Sequence, residues 1–285
     1  MKALLLSSAF FCSGLTLLGQ TLLSNDEALK QLYRDYDPAT KTAQWVCQKD
    51  QTEGPQRGWP CTKDATVSVS VILSEQVSEG DATRLYIVTS AKPANDPAGD
   101  YNCHACAPGI GAAVFVWQGY GWTLESENAA VDFLGGWGDP PTGELIATGP
   151  KRHGILFSSD DEAQGFSWSS KHLAIPINKG IEVVWGVESE SDDADAVDPD
   201  DKENSPPLYR SSATIRFVPR KAVAVDTSDY YDIEVVSHGT SWEGGGHRVK
   251  PENWTEIYTF KGGKYRLLSR TVLPKVGNAG KNQNH

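Results

Sequence analysis

Small polar and β-branched apolar residues alternate along Thr66-Val67-Ser68-Val69-Ser70-Val71-Ile72. This period of two predicts a β-strand that buries one face and exposes the other. Further strand-forming runs follow, separated by Gly, Pro, Asn and Asp; they are 85–89, 113–117, 121–124, 144–147, 154–157, 172–177, 181–187, 213–218, 231–236, 257–260 and 264–269. Many short strands with polar turns indicate a mainly β protein, either an antiparallel sandwich or barrel-like fold or two related β modules.

One short helix is predicted near the N-terminus. Ser24-Asn25-Asp26-Glu27 has the pattern of a capping box, in which the first side chain and the last each accept a backbone N–H. Leu29 and Leu32 supply an apolar side after it, and Asp37-Pro38 is the expected end of the helix.

Two aromatic hairpin sequences, Phe115–Leu124 and Tyr258–Leu267, align without gaps. Each has aromatic residues at alternate positions, a Gly-containing turn, another aromatic residue and a Leu, which predicts cross-strand aromatic packing. A β-rich run precedes each hairpin, at 85–90 and 231–237. The match favours two related β modules; the alternative is that such hairpins recur by chance in β proteins.

Residues 1–20 have the pattern of a secretory signal peptide. A Lys follows Met1, and residues 3–18 carry no charge, which is the length of a signal-peptide hydrophobic region and short for a membrane span. A lipid anchor at Cys12 and a buried N-terminal helix are the alternatives. We therefore expect a secreted or periplasmic protein without an integral membrane segment.

The charge balance and its distribution limit the partners and suggest a domain organisation. The chain has 26 Lys and Arg against 37 Asp and Glu, and so lacks the basic excess that nucleic acid attracts; a glycan or a cell-envelope component is the expected partner.

Acidic residues concentrate in 188–207, which we interpret as an exposed linker. The expected parts are then the signal peptide, a helix with a first β module at 21–187, the linker, and a smaller β module at 208–285. One continuous domain is the alternative.

Beyond the predicted signal peptide the cysteines are Cys47, Cys61, Cys103 and Cys106. An even number in an oxidising compartment favours two disulfides, and four cysteines allow three pairings. We predict the local solution, Cys47–Cys61 and Cys103–Cys106, with no free thiol in the mature protein.

The tetrapeptide Cys103-His104-Ala105-Cys106 also has a metal-binding and a redox-active interpretation. His238 and His247 flank a glycine-rich loop, so they could bind a cation by themselves or together with Cys103, His104 and Cys106. The metal at such a site would be zinc, copper or iron. We expect no cofactor; a metal ion held by these residues is the alternative.

Trp137 and Trp242 lie near glycines and are the candidate platforms for stacking a sugar. Glu125, Glu127 and Asp139 are the carboxylates that could serve glycoside hydrolysis. The sequence has no nucleophile elbow, phosphate-binding loop or dinucleotide fingerprint.

Taken together, these patterns favour an exported, non-catalytic, β-rich binding or cell-envelope protein. One alternative is a secreted carbohydrate-active enzyme that uses loop aromatics. The other is a periplasmic metal- or redox-handling protein centred on residues 103–106. Whether the protein is an enzyme stays open, although we expect no turnover of generic ester, glycoside or peptide substrates.

Overall fold

The computed structural model describes residues 22–33, 35–45, 65–96, 101–103, 106–193, 208–220, 229–243 and 248–274. Over this part of the chain one helix and thirteen strands form two antiparallel sheets. The predicted mainly β, antiparallel, sandwich- and barrel-like fold with one short N-terminal helix is therefore confirmed. The predicted signal peptide and the predicted Cys47–Cys61 bridge lie outside the described residues.

Each predicted strand run lies within an observed strand, except that Gly121 and Tyr231 precede β5 and β11 by one residue. The elements are α1 Asn25–Leu32, β1 Thr42–Trp45, β2 Ala65–Glu79, β3 Ala82–Pro93, β4 Gly109–Trp117, β5 Trp122–Phe133, β6 Thr142–Gly149, β7 Arg152–Ala163, β8 Phe166–Ile177, β9 Gly180–Asp192, β10 Arg210–Val218, β11 Asp232–Glu243, β12 Arg248–Lys261 and β13 Lys264–Val272. The sequence does not predict β1, because four residues are too few to establish a period.

Both sheets are meanders in which consecutive strands are neighbours. The five-stranded sheet has the order β1-β2-β3-β4-β5, and the eight-stranded sheet has the order β13-β12-β11-β10-β9-β8-β7-β6. The eight-stranded sheet curls into a half-barrel. Among the described residues, no helix is long and apolar enough to cross a membrane.

Helix α1 covers one face of the five-stranded sheet. Ser24 caps it as predicted, since its hydroxyl accepts the Glu27 N–H (3.2 Å) and the Glu27 carboxylate accepts the Ser24 N–H (3.0 Å). Leu29 of the helix shares a buried cluster with Ile87 of β3 and Phe115 of β4. The capping box therefore starts a helix whose apolar side lies on the sheet.

The opposite face of the five-stranded sheet packs on the eight-stranded sheet. Tyr86 and Val88 alternate along β3 with Ile87, and they join a second buried cluster with Ile155 and Phe157 of β7. Because both faces are covered, residues 85–91 of β3 are buried without interruption. A third buried cluster fills the half-barrel, where the rings of Trp185 and Tyr258 meet edge-on with centroids 5.9 Å apart.

The two hairpins that align in sequence also have the same register. Phe115 pairs with Leu124 and Trp117 with Trp122 in the first, and Tyr258 pairs with Leu267 and Phe260 with Tyr265 in the second. Each has a β-bulge immediately before its first aromatic residue. The inner rings are edge-on in both, with centroids 5.5 Å and 5.3 Å apart. Each hairpin ends its sheet, so the two are alike in register and in edge position. Superposition of the hairpins, and two β modules as domains, stay predictions.

Part of the predicted acidic linker is regular structure. Residues 188–192 belong to β9 and pair with both β8 and β10, so strands from both predicted modules share one sheet. Ser189 and Ser191 are buried here while Glu190 faces solvent, because alternation lets a strand carry acidic side chains on its exposed face. Asp193 is buried, and its carboxylate accepts the Tyr209 N–H at 2.7 Å. Residues 194–207 lie outside the described part.

Gly111 lies against a buried hydrogen bond between the hydroxyls of Tyr33 and Thr89 (2.6 Å). A Cβ at this position would lie 2.6 Å from Thr89 Oγ1 and 2.7 Å from Tyr33 Oη. Overpacking should therefore make Gly111→Ala lower the free energy of unfolding by about 1–3 kcal/mol. The control is Gly121→Ala, where a Cβ would meet nothing within 4 Å, and it should change stability by less than about 0.5 kcal/mol. Urea unfolding measures both, and equal losses would contradict the argument.

His172 of β8 lies in the electrostatic range of Asp132 of β5, between the two sheets. Burial lowers the pKa of His172, and the Asp132 charge opposes that shift; burial raises the pKa of Asp132. Because the unfolded chain protonates His172 below its ordinary value of 6.5 while the folded protein keeps it neutral, stability should be lost as the pH falls below that value.

Replacing His172 by Gln should therefore reduce the loss of stability between about pH 7 and about pH 5. The exposed His238→Gln is the matched control and should leave the profile unchanged. Urea midpoints measured across this range give the comparison. A His172→Gln profile as steep as that of the unsubstituted protein would exclude His172 as the cause.

Candidate functional site

Trp137 lies at the tip of a tight turn between β5 and β6. Gly136 and Asp139 exchange two backbone hydrogen bonds of 3.2 Å and 2.8 Å, and the residues between them, Trp137 and Gly138, have φ values of 55° and 75°. Such turns favour glycine or asparagine, and the left-handed conformation costs a bulky residue about 1–2 kcal/mol. The side chain is 46% exposed. A large, exposed aromatic residue held in an unfavourable backbone conformation marks a candidate binding residue.

The Cys103–Cys106 disulfide supports this turn. The bridge is present, with the two Sγ atoms 2.01 Å apart. The Cys106 carbonyl accepts the Gly138 N–H at 2.7 Å, so the disulfide loop is bonded directly to the turn. A Cβ on Gly138 would lie 2.7 Å from the carbonyl oxygen of the buried Tyr101, which leaves no room for a side chain. The disulfide and Trp137, both singled out in the sequence, are thus parts of one local structure.

A cleft of about 850 Å³ lies between Trp137 and the strands β7 to β10; we name it the Trp137 cleft. Its lining combines two tryptophans, five carboxylates, five serines and one arginine: Trp137, Trp168, Asp160, Asp161, Glu162, Glu190, Asp192, Ser167, Ser169, Ser191, Ser211, Ser212 and Arg210. Trp137 also borders a cavity of about 560 Å³ around the β7–β8 turn. The Trp137 cleft is therefore polar and acidic, with aromatic surface at its edge.

Strand register produces the polar floor of the Trp137 cleft. One row across β7 to β10 consists of Asp160, Ser169, Glu190 and Ser212, and the row two residues away consists of Glu162, Ser167, Asp192 and Arg210. Rows two residues apart lie on the same face of a sheet. Within them the Ser169 hydroxyl donates to Asp160 (2.6 Å), and Arg210 pairs with Asp192 (3.3 Å). Serine hydroxyls and carboxylates therefore cover one sheet face.

A second cleft, of about 680 Å³, lies where the two sheets meet; we name it the seam cleft. It contains a buried carboxylate, Glu79, whose side chain is 5% exposed and which has two hydrogen bonds and one ion pair. The hydrogen bonds come from the Tyr86 hydroxyl (2.9 Å) and His153 Nδ1 (2.8 Å), and the ion pair is with Arg84 Nη1 (3.0 Å). Since an ionised carboxylate only accepts, His153 donates through Nδ1.

Arg84 joins Glu79 to Glu125 in the seam cleft. It donates two hydrogen bonds to the Glu125 carboxylate, at 2.7 Å and 2.8 Å, and these bonds raise the Arg84 pKa. Burial and the neighbouring Glu79 raise the pKa of Tyr86. Three carboxylates were considered for glycoside hydrolysis. Glu125 lines the seam cleft, but Arg84 bonds both of its oxygens. Glu127 and Asp139 line neither the seam cleft nor the Trp137 cleft.

The candidate metal ligands are only partly visible. Cys103 and Cys106 are joined to each other, so neither offers a thiolate in this state. His238 lies on β11, with Nδ1 3.2 Å from the Asn253 side chain. His104 and His247 lie outside the described residues. Among the described residues no group of three or more His, Cys, Asp or Glu could hold a metal ion. Convergence of these ligands therefore stays a prediction.

Trp242 is in a strand rather than in the expected glycine-rich loop. Its backbone belongs to β11 and pairs with Val249 of β12. That Trp242 stacks on a ligand stays a prediction, because its side chain is not among those that the structure describes. Residues 244–247 are likewise outside it.

Sequence reasoning did not identify Trp168, the rows of serines and carboxylates, or the Glu79–His153 pair. A local signal existed for the rows, since residues 158–171, between the predicted strand runs 154–157 and 172–177, are mostly polar. No local signal existed for Glu79 and His153, which are far apart in the chain and meet only because the two sheets pack together.

The chain matches no protein-family model, no curated protein and no solved structure. Its function must therefore be argued from the two clefts themselves.

Removing the disulfide should loosen the Trp137 turn. The loop-closure model assigns a loop of this size about 2 kcal/mol, so replacing both Cys103 and Cys106 by Ala should lower the free energy of unfolding by about that amount. The Gly138 amide, which donates to Cys106, should then exchange faster with solvent. The Tyr231 amide, which donates to Thr148 at 2.7 Å, is the control and should be unaffected. Unchanged Gly138 protection would show that the disulfide does not hold the turn.

Proposed function

We propose that this protein is a non-catalytic binding protein that holds a glycan in the Trp137 cleft. The observation that carries the proposal is the conformation of Trp137, an exposed indole on a turn that favours glycine, beside a sheet face of serines and carboxylates. Selection for folding alone would favour Gly or Asn at such a position. A retained tryptophan there is accounted for by a ligand that stacks on it.

The chemistry of the Trp137 cleft suits a sugar. A pyranose ring has an apolar C–H face, which an indole covers, and a rim of hydroxyls, which serines and carboxylates can bond. The arrangement provides both, with Trp137 at the edge and with Asp160 and Ser169 among the floor residues. The volume of about 850 Å³ is in the range of small-molecule sites, which run from about 300 to about 1,000 Å³.

The charge of the Trp137 cleft restricts the glycan. Five carboxylates face one arginine in its lining, so an anionic polysaccharide would be repelled. Neutral glycans remain, together with glycans that carry amino groups. This favours an uncharged stretch of a cell-envelope polysaccharide over an acidic one.

The proposed compartment is the periplasm or the exterior. The predicted signal peptide motivates it, and the Cys103–Cys106 disulfide supports it because such bridges persist in oxidising compartments. A glycan or another envelope component is accessible there.

Substitutions at Trp137 should separate binding from folding. Trp137→Gly removes the ring and relieves the left-handed backbone, so it should weaken glycan binding at least tenfold, a loss of about 1.4 kcal/mol, without lowering the free energy of unfolding. Trp137→Ala should weaken binding equally. The control is Tyr120→Ala, since Tyr120 is 87% exposed and lies outside the cleft lining. A glycan array identifies the ligand, and calorimetry with urea unfolding compares the variants.

If Trp137→Gly bound the identified glycan as tightly as the unsubstituted protein, the proposed site would be wrong. If no neutral or amine-bearing glycan bound at all, the proposed function would be wrong. Release of reducing sugar from a bound glycan would favour the carbohydrate-active enzyme instead.

A further inference from the structure

The seam cleft carries charges that the proposed glycan site does not use. Its carboxylates all have partners: Glu79 accepts two hydrogen bonds and pairs with Arg84, Glu125 accepts two hydrogen bonds from Arg84, and Asp229 lies 3.8 Å from the Arg152 guanidinium. A cationic ligand would therefore find no unpaired carboxylate among the described residues that line this cleft. The positively charged and N–H groups of the lining therefore decide which ligand the cleft can bind.

Two of the remaining groups are at the start of β7, with Lys151 in the turn just before the strand and His153 as its second residue. Lys151 makes no ion pair among the described residues, and its side chain lies along the β2–β3 turn, where a Cβ on Gly80 would be 3.1 Å from its Cδ. His153 uses Nδ1 for Glu79, and its Nε2 has no hydrogen-bond partner in the described part of the chain. Both residues line the seam cleft.

Arg152, between them, is held at the same wall. Its guanidinium lies 5.0 Å from the centroid of the Tyr230 ring, and that ring packs on Phe260 with centroids 4.2 Å apart. The side chain is about half exposed, so donors remain for a ligand. Three consecutive residues therefore offer positive charge or N–H groups on one wall, opposite carboxylates that are already paired.

We propose that the seam cleft binds a small oxyanion, the carboxylate or phosphate group of a soluble ligand, through Lys151, Arg152 and His153. The anion would neutralise the Lys151 ammonium and accept from the Arg152 guanidinium. It would also accept from His153 Nε2 once that nitrogen carries a proton. Charge-assisted hydrogen bonds of this kind are the stronger class.

The hydrogen bond to Glu79 decides which His153 nitrogen is left for a ligand. Because Nδ1 donates to Glu79, Nε2 is the ring nitrogen that an anion would meet. An oxyanion therefore bonds to Nε2 only in the doubly protonated form of the ring.

The test is a chemical-shift titration of the full chain, following the backbone amides of Lys151, Arg152 and His153. Inorganic phosphate, acetate and sulfate are the probes. We expect saturable shifts with at least one anion. A phosphate preference indicates a phosphate-bearing ligand and an acetate preference a carboxylate; either supports the proposal.

Variants localise the binding. Lys151→Gln should weaken anion binding about tenfold or more. His153→Gln keeps a donor for Glu79 but removes the ring N–H that would face the anion, so it should also weaken anion binding. Lys264→Gln, an exposed change on β13, is the control.

The absence of saturable shifts with every anion, or equal affinities for the unsubstituted protein and Lys151→Gln, would overturn the proposal. Trp137 variants should bind anions normally, so this site is tested separately from the glycan site.

Discussion

The architecture depends on the burial of strands β3 and β4 on both of their faces. Side chains that point one way from β3, such as Ile87, pack under helix α1, and those that point the other way, such as Val88, pack on the eight-stranded sheet. Each fully buried aliphatic or aromatic side chain contributes about 1.5–3 kcal/mol. Gly111 of β4 is needed for this packing, because its missing side chain leaves room for the buried Tyr33–Thr89 hydrogen bond. The other elements are positioned against these two strands.

The Trp137 cleft lies on a part of the eight-stranded sheet that lacks this two-sided apolar packing. Strands β7 to β10 carry serines and carboxylates there, so local stability has to come from backbone pairing, side-chain hydrogen bonds and the disulfide. This explains why the Cys103–Cys106 loop is bonded to the Trp137 turn. A tight turn with an unfavourable residue keeps its conformation only when its surroundings hold it.

The two clefts differ in how they treat charge. The Trp137 cleft exposes its carboxylates to solvent, where they cost little and set the sign of the local potential. The seam cleft buries Glu79 and gives it two hydrogen bonds and an ion pair, because an unpaired buried carboxylate would destabilise the fold by several kcal/mol. Among the described residues, the Lys151 ammonium has no ion-pair partner and His153 Nε2 has no hydrogen-bond partner, which distinguishes them from the paired carboxylates of this cleft.

Local sequence was enough to predict elements whose signal lies within one strand, turn or helix. The alternation at 66–72, the Ser24 cap, the paired aromatic hairpins, the Cys103–Cys106 bridge and the exposed Trp137 are of this kind. What needed the tertiary structure is the pairing of β9 with β10, the burial of Asp193 and the meeting of Glu79 with His153. The physical reason is that side-chain periodicity specifies which face of a strand is apolar, whereas the face that it meets is decided by packing between segments far apart in the chain.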